Sequence, residues 1–254
     1  MQTVDKAVEL LGLFSEREAE LGLSDIARRA QFDKATTRRL LLALAKHGLI
    51  EQDQDSRRYR IGPGVLRLAQ IREATLPVHS VVQPVLRRLV DGTGETAHFA
   101  LRSGQELATI AMQESSRSNR VNMVLGERLP LHATASGLVI MAYIDSEELP
   151  SLVTASLEKY TDATLTDPVA IRELLRHTRE LGFVTNLGYY EADVCSIAAP
   201  VFDPASRPMG AVAVAAPSTR FGNEAQATMQ TLVIGAAAEI TTRLGGRAPT
   251  AQVA

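Results

Sequence analysis

Hydrophobic residues near the start of the chain recur every three or four positions, which is the spacing of one face of a helix. In the first such stretch they stand at Val4, Ala7, Val8, Leu11 and Phe14. This stretch predicts a helix with a core-facing stripe, for which Thr3 is a candidate cap. A second helix is predicted with Ser24 as its cap. A third is predicted over residues 34–47, capped by Asp33 and closed by Gly48.

The second and third helices are separated only by residues 31–33, so together they predict a helix-turn-helix. Apolar side chains of the third helix are expected to face inward, namely Leu40, Leu41, Ala43 and Leu44. Its first turns carry hydroxyl and cationic side chains, and in a DNA-reading helix-turn-helix this part enters the major groove. We therefore expect base contacts from Thr37, Arg38 and Arg39, and phosphate or minor-groove contacts from Lys34 and Thr36.

Residues 49–61 place apolar or aromatic positions on either side of a polar turn, which predicts a two-stranded ribbon. Arg57 and Arg58 lie near its tip and are further candidates for phosphate or minor-groove contacts. Residues 24–60 contain nine Lys and Arg against five Asp and Glu, a local net charge of +4, whereas the whole chain carries −2. Cations are therefore gathered on the expected DNA-reading surface, as phosphate binding requires.

Beyond residue 76 the chain alternates between helical and strand periodicity. Helices are predicted over residues 77–90, 134–144, 146–155, 166–182 and 222–246. Strands are predicted over residues 95–101, 106–113, 121–125, 183–188, 194–202 and 209–215, with a hairpin turn at 102–105. The strand over 209–215 is apolar on both faces and is expected to be central. This pattern predicts a mixed sheet flanked by helices.

Four segments follow from this pattern. Residues 1–62 form the winged helix-turn-helix, residues 63–76 contain a short amphipathic linker helix over 65–75, residues 77–246 form the second domain, and residues 247–254 are a disordered tail.

Composition excludes several function classes. No stretch approaches the roughly 20 apolar residues of a membrane helix, and the start of the chain lacks a secretion signal, so we expect a cytoplasmic protein that does not contact a membrane. The single cysteine, Cys195, excludes an internal disulfide and a Cys-based zinc site. The five histidines show no metal-ligand spacing, and we expect neither a metal nor a cofactor.

Two runs in the first domain resemble the winged helix of the IclR (isocitrate lyase regulator) family of bacterial transcriptional regulators. They are Lys34-Ala35-Thr36-Thr37-Arg38-Arg39-Leu40-Leu41 and Tyr59-Arg60-Ile61-Gly62. The second domain is similar to the same family at Gly94-Glu95-Thr96, at residues 126–133, at Tyr160-Thr161 with Thr166-Asp167-Pro168, and at residues 181–183, 197–203 and 215–217. The resemblance covers about residues 3–243.

This resemblance implies an α+β protein, with a winged helix-turn-helix, a linker helix and a GAF-like effector-binding domain. It implies a DNA-binding transcriptional regulator, more commonly a repressor than an activator, and not an enzyme. The implied partners are a pseudo-palindromic double-stranded operator, a small-molecule effector, and further copies of the chain in a homodimer or homotetramer.

The resemblance also implies where the effector binds. The family's pocket positions correspond to Ala135, Ser136, Asn186, Ser196, Ala213 and Ala215, and Met123, Leu125, Met141 and Tyr189 are further wall candidates. Acid-sensing members commonly carry Asp, Cys and two Ser where this chain has Asn186, Ser196, Ala213 and Ala215. A buried ligand carboxylate without donors would cost several kcal/mol. We therefore expect an aromatic or weakly polar effector, such as an aromatic acid derivative, an amide or a hydrazide.

An alternative hypothesis from another class is a GAF-like enzyme or redox sensor whose winged helix mediates protein contacts. His132 lies close in sequence to Ser136, but no Gly-x-Ser-x-Gly elbow surrounds that serine. Glu95, Asp193 and Asp203 show no acid–base spacing, and Cys195 has no second thiol with which to form a disulfide.

Overall fold

The computed structural model describes residues 2–15, 18–103, 106–153 and 156–249. The chain divides into two compact units, Met1–Pro77 and Val78–Ala254, and each is described by itself. Among the described helices, none combines the length and apolar character needed to cross a membrane.

The first unit contains four helices and a two-stranded ribbon among its described residues. They are α1 (Gln2–Leu11), α2 (Leu23–Arg29), α3 (Lys34–Lys46), β1 (Ile50–Gln52), β2 (Tyr59–Ile61) and α4 (Gly64–Thr75). The helix predicted over residues 65–75 is therefore present as α4, and it has no buried residue.

The core of the first unit is centred on Leu10, Ile26, Leu41 and Ile50, which are almost completely buried. The predicted stripe of α1 is confirmed for Ala7, Leu11 and Phe14, which pack against the core, and is wrong for Val4 and Val8. Val4 and Val8 are 67% and 54% exposed, because the helix turns the side that carries Leu10 toward the core. In α3, Leu40, Leu41 and Leu44 face inward as predicted, whereas Ala43 is exposed.

The structure confirms one of the predicted helix caps in this unit and corrects two. Asp33 caps α3 by accepting a hydrogen bond from the Thr36 backbone N–H at 2.8 Å. Ser24 is not a cap, because α2 already begins at Leu23 and Gly22 occupies the cap position. Thr3 likewise lies within α1. Gly48 follows the end of α3 with φ +69°, a left-handed conformation that suits glycine.

The predicted ribbon is present, with β1 and β2 paired antiparallel in the register Ile50–Ile61. Leu21 extends it by exchanging two backbone hydrogen bonds with Tyr59, at 2.8 and 2.9 Å. Gly62 ends the ribbon where the backbone crosses the turn after α3. A Cβ at this position would lie 2.3 Å from the carbonyl oxygen of Gly48, so only glycine fits.

The second unit builds a six-stranded sheet flanked by helices. Its helices are α5 (Val78–Thr93), α6 (Ala135–Met141), α7 (Leu149–Leu152), α8 (Pro168–Leu181) and α9 (Asn223–Arg243). Its strands are β3 (Thr96–Ser103), β4 (Glu106–Gln113), β5 (Arg128–Pro130), β6 (Val184–Leu187), β7 (Val194–Phe202) and β8 (Pro208–Pro217). A short 3-10 turn, Ser218–Arg220, precedes α9.

The strand order is β5-β4-β3-β8-β7-β6, and every described pairing is antiparallel. The mixed sheet that we predicted is therefore wrong, because each neighbouring pair runs in opposite directions. The expectation that residues 209–215 lie in a central strand is confirmed in β8, which pairs with β3 and β7. The edge strands are the shortest, with three residues in β5 and four in β6.

Two predicted elements differ from the structure. Residues 121–125 form an irregular segment, and the strand β5 follows it at a position where none was predicted. The helix predicted over 146–155 is reduced to the single turn α7, with residues 154–155 outside the described part of the chain. Residues 104–105 of the predicted hairpin turn and residues 250–254 of the predicted tail also lie outside the described part of the chain.

The helices cover the sheet through two separate packing arrangements. Helix α6 is buried along its whole length and packs on β7 and β8, where Ala198, Ala211 and Ala213 leave room for it. Val212 and Val214 of β8 point to the opposite face, since successive side chains of a strand alternate. Helices α5 and α9 pack on one another, and α9 also contacts β7 and β8.

Candidate functional site

The outward face of α3 is a row of exposed cations in the first unit. Lys34, Arg38 and Arg39 are exposed, and none of them forms an ion pair with another described residue. Asp33 holds the helix start in place, and the backbone N–H of Thr36 lowers the pKa of its carboxyl group. The carboxylate therefore stays ionised at the positive end of the helix dipole, where it is most favourable.

Three other cations of this unit form ion pairs with neighbouring carboxylates. Arg28 pairs with Asp25, Arg29 with Glu18, and Arg60 with Glu51 and Glu20. These three arginines are therefore neutralised by carboxylates, whereas Lys34, Arg38 and Arg39 are not, and they lie on the helix that the sequence pattern assigns to the major groove.

Thr37 is the one predicted DNA-reading residue that the structure contradicts. Its side chain is completely buried, and its Oγ1 donates to the Asp33 carbonyl at 2.9 Å. It lies on the same side of α3 as Leu40, Leu41 and Leu44, so it cannot reach a base. Thr36 is half-buried, at the border between the two faces.

Sequence reasoning missed Leu42 on the exposed face of α3. Its side chain is 54% exposed and lies on the same side as Ala35 and Arg39, one turn further along. An apolar group on a major-groove helix can contact the methyl group of thymine. An exposed leucine among cations was the available signal, but it required the correct phase of the helix.

The ribbon tip presents Arg57 in a left-handed conformation, with φ +60°. Asp53 organises this turn by accepting hydrogen bonds from the backbone N–H groups of Ser56 and Asp55, at 2.7 and 3.2 Å. The first of these bonds is the main cause of the lowered pKa of Asp53. Arg58 is held back from the tip, because its Nη2 donates to the Glu20 carbonyl at 2.6 Å.

The second unit contains a cavity between the start of α6 and the sheet. Its empty space is about 590 Å³, including the open mouth. The segment before β5 closes one side of it and the residues after β6 close another. The lining residues are His98, Val121, Asn122, Met123, Glu127, Leu129, Ala133, Thr134, Ala135, Ser136, Asn186, Tyr190, Glu191, Val194, Ser196 and Ala215.

Six of the ten residues that we assigned to the effector pocket line this cavity, namely Met123, Ala135, Ser136, Asn186, Ser196 and Ala215. They come together because β6, β7 and β8 are neighbours, with Asn186 opposite Ser196 and Ser196 opposite Ala215.

The structure places the other four outside the cavity lining. Met141 is the last residue of α6, and Ala213 lies two residues before Ala215 on β8. Both are buried in the core. Leu125 is 42% exposed on the surface. Tyr189 packs against the core, and its backbone N–H donates to Asn186 Oδ1 at 3.0 Å.

The floor of the cavity combines a buried histidine with neutral polar groups. His98 Nε2 lies 3.2 Å from Ser136 Oγ, and His98 Nδ1 is buried without a hydrogen-bond partner among the described residues. Burial lowers the pKa of His98 to about 4, so the ring is neutral at pH 7. Asn186 is already engaged, because its Nδ2 donates to the Ala133 carbonyl at 2.9 Å. Sequence reasoning missed His98, although a lone histidine in an otherwise apolar strand was the signal.

Carboxylates and tyrosines form the mouth of the cavity. Glu127 and Glu191 are both exposed, and partial burial together with the charges of Asp193 and Glu127 raises the pKa of Glu191. Tyr190 lies beside them and contacts Tyr160 edge to face, with ring centroids 5.0 Å apart. No lysine or arginine side chain that the structure describes lines the cavity.

A buried ion pair fixes the segment that carries Val121 and Met123 into the cavity. The Glu95 carboxylate is 1% exposed and pairs with both Arg117 and Arg220. Arg220 also donates to the carbonyl oxygen of Asn119 at 2.7 Å. Glu95 is therefore a structural anchor for the cavity wall.

The chemistry of the alternative hypothesis does not match this geometry. Ser136 contacts His98 and not His132, whose Nε2 lies 2.8 Å from the Glu158 carbonyl. A histidine with a pKa near 4 is a weak base for activating a hydroxyl group at pH 7. Burial raises the pKa of Cys195, which disfavours the reactive thiolate. Within the described residues there is no cluster of three or more possible metal ligands.

Two family models match this sequence. Residues 73–242 match the C-terminal domain of the bacterial transcriptional regulator IclR, and residues 3–54 match the IclR helix-turn-helix domain. The chain belongs to the IclR family. The resemblance carried by the sequence motifs is thereby confirmed, as is the α+β fold with a helix-turn-helix domain followed by a helix-and-sheet domain.

Named relatives and solved structures of the IclR family agree with this assignment. The transcriptional repressor IclR of Escherichia coli K12 is 27% identical over 249 residues, which cover 97% of this chain and 91% of that protein. The crystal structure of an IclR-type regulator from Silicibacter sp. TM1040 has 40% sequence identity and a TM-score of 0.90, covering 97% of this chain and 98% of that one. These relatives are named as regulators, and this chain is an IclR-family transcriptional regulator.

A second IclR-family structure was solved with a ligand. The IclR homologue of Microbacterium hydrocarbonoxydans, in complex with 4-hydroxybenzoate, has a TM-score of 0.79 and 23% identity, covering 94% of this chain and 99% of that one. At this identity the likeness concerns the fold.

Proposed function

We propose that this chain is a transcriptional repressor that reads a specific DNA sequence and whose DNA affinity is controlled by a small molecule. One observation carries the DNA-reading part, namely that Lys34, Arg38 and Arg39 project from the helix-turn-helix without ion-pair partners among the described residues. Unpaired cations are available to replace the counterions of DNA phosphates. Such a regulator acts in the cytoplasm.

The proposed base-reading residues are Arg38 and Arg39, with Leu42 as an apolar contact. Lys34, Thr36 and Arg57 are assigned to phosphates, and Arg58 to a supporting role beside them. The name of the Escherichia coli relative supports repression as the mode of action.

We infer that the regulator is a homodimer or homotetramer on a pseudo-palindromic operator. Exposed apolar side chains on α1 and α4 support this assembly, namely Val4, Val8, Leu66, Leu68 and Ile71. A paired protein would present two α3 helices to successive major grooves on one side of the DNA.

The cavity of the second unit is the proposed effector site. Its walls are mostly apolar, and a few polar groups could orient a ligand, as is usual for small-molecule sites. A small aromatic ligand in an IclR homologue of the same fold supports an aromatic or weakly polar effector here. The effector would change the DNA affinity through α4, which precedes the second unit in the chain. The coupling expected between two such sites is about 1–3 kcal/mol.

A salt titration tests the proposed function. The binding of the full chain to DNA from the region upstream of its own gene is compared with its binding to an unrelated duplex. We expect a steep decrease in affinity with salt for both duplexes and a preference of about a thousandfold or more for the upstream DNA.

Two outcomes would contradict the proposal. Equal affinity for both duplexes at every salt concentration would show that the protein does not bind a specific DNA sequence. The DNA complex is also titrated with aromatic amides, hydrazides and amines. If none of them changes the affinity for DNA, control by the proposed class of effector is wrong.

A further inference from the structure

We propose that the effector carries a positive charge, which binds between Glu127 and Glu191 at the cavity mouth while an uncharged polar group of the ligand reaches His98. This inference rests on the proposed function, since it names the class of ligand for the same cavity. The effector would then be a protonated amine, an amidine or a quaternary ammonium compound attached to a flat apolar body.

The two carboxylates at the mouth lack a cationic partner. Neither Glu127 nor Glu191 forms an ion pair with any described residue, whereas Glu95, Glu114, Glu148 and Glu173 of this unit are each paired with an arginine. Asp193 adds a third negative charge close to Glu191. Partial burial is the main cause of the raised pKa of Glu191, and repulsion from Asp193 and Glu127 raises it further. A cationic ligand would relieve this repulsion, whereas an anionic ligand would add to it.

Aromatic faces next to these carboxylates suit the same charge. Tyr190 lines the cavity, and its edge-to-face contact with Tyr160 forms an aromatic corner at the mouth. Burial raises the pKa of Tyr190, and the nearby negative charges of Glu127, Glu191 and Glu158 raise it further. Carboxylates beside tyrosine rings are a common setting for ammonium groups.

The floor supplies an independent sign of a missing ligand group. His98 is 5% exposed and lines the cavity, yet its Nδ1 has no hydrogen-bond partner among the described residues. A buried polar atom without a partner costs free energy, so a ligand group that pairs with it gains affinity. Because His98 is neutral at pH 7, that group need not be charged.

Among the described side chains that line this cavity, none carries a positive charge that would pair with an anionic ligand group. The described lining side chains include two carboxylates and one neutral histidine, and no lysine or arginine. The hydroxyl groups of Ser136 and Ser196 and the amide of Asn186 are neutral, and Asn186 is already hydrogen-bonded at both ends. The charges of the lining thus favour a cation at the mouth.

Three probes of nearly identical shape separate charge from size, namely benzamidine, benzamide and benzoate, with charges of +1, 0 and −1 at pH 7. Their dissociation constants for the full chain are measured by isothermal titration calorimetry. We expect benzamidine to bind about tenfold more tightly than benzamide, and benzoate to bind most weakly.

Variants assign this preference to the mouth. Glu191→Gln should bring the affinity for benzamidine close to that for benzamide and leave benzamide unchanged. Glu147→Gln, which changes an exposed carboxylate that does not line the cavity, should preserve the preference. Ala215→Phe fills the cavity and should abolish binding of all three probes.

The outcomes distinguish the two levels of the proposal. If benzamide binds as tightly as benzamidine and Ala215→Phe abolishes both, the cationic class is wrong while the effector cavity stands. If no probe binds, or if Ala215→Phe leaves binding unchanged, the cavity itself is wrong as the effector site.

Discussion

Glu95 and Arg220 lie 125 positions apart in the chain and are joined by two hydrogen bonds, Nε–Oε1 at 2.6 Å and Nη2–Oε2 at 2.7 Å. The carboxylate is 1% exposed, and Arg117 Nη1 also donates to its Oε1 at 2.5 Å. Through Arg220 and Asn119, this pair ties the 3-10 turn before α9 to the segment that forms the cavity wall. The shape of the cavity therefore depends on an ion pair that does not line it.

Arg220→Ala should destabilise the protein by about 2–4 kcal/mol, because a buried carboxylate loses its better partner. Arg117→Ala should cost less, since the Arg117 side chain is 47% exposed and makes a single contact with Glu95. Urea unfolding measures both losses. Arg207→Ala is the control, because it removes an exposed ion pair with Asp203 at 2.8 Å. A loss for the control as large as that of Arg220→Ala would show that burial of Glu95 is not the cause.

Arg39→Ala should weaken binding to the upstream DNA by about 1–3 kcal/mol and reduce the preference over an unrelated duplex. Arg39 is exposed at the centre of the outward face of α3 and forms no ion pair with a described residue. Fluorescence anisotropy with labelled duplexes measures both affinities. Arg176→Ala, an arginine on α8 in the other unit, should leave them unchanged. If Arg39→Ala binds as the parent does, the recognition-helix assignment is wrong.

Two substitutions of Arg57 separate the effect of its backbone conformation from the effect of its charge. Both Arg57→Gly and Arg57→Ala remove a positive charge at the ribbon tip, so both should weaken DNA binding alike and make it slightly less salt-dependent. Glycine adopts φ +60° without strain, so Arg57→Gly should be more stable than Arg57→Ala by about 1 kcal/mol. Thermal unfolding compares the two stabilities. If the variants differ in DNA affinity as well, the turn and not the guanidinium group controls binding.

The stability of the second unit should fall as the pH is lowered from 6.5 to 4, because the folded state holds His98 neutral. The pKa of His98 is about 4 in the folded protein against 6.5 for an ordinary histidine. Between these values the unfolded chain binds a proton that the folded chain does not, so protonation favours unfolding. Above about pH 6.5 the free energy of unfolding is not reduced by His98. Near pH 4 the reduction approaches about 3 kcal/mol.

Urea unfolding of the parent and of His98→Asn at several pH values measures this effect. The difference between the two curves isolates His98, because the other titrating groups are common to both. The parent should lose stability faster than the variant over this pH interval, and parallel curves would show that His98 titrates normally.

Sequence periodicity predicted much of the second unit because several elements have chemical signals at their ends. Helix α8 begins where Asp167 accepts hydrogen bonds from two backbone N–H groups, and it ends at Gly182 with φ +77°. Strands β4 and β7 have the bounds that were predicted. The placement of Val4 and Val8 on the core side of α1 was wrong because these two residues are as apolar as the residues that are buried. Only the packing of Leu10 shows which side turns inward.

The cavity was harder to predict because its residues come from separate parts of the sheet and from irregular segments. Ala213 and Ala215 are equivalent in sequence, yet only Ala215 lies beyond the area that α6 covers. Thr37 differs from Arg38 by one position, and the helix turns one inward and the other outward. Such differences depend on which neighbour lies over each residue, and a local pattern does not contain that information.

The lengths of the two edge strands limit how this sheet can grow. Strand β5 offers three residues and ends in Pro130, which has no backbone N–H to donate, and β6 offers four. An added peptide strand would therefore form too few backbone hydrogen bonds with either edge strand for stable pairing. The second unit should consequently resist fibrillar aggregation when it is concentrated, and contacts between copies of it are left to side-chain surfaces.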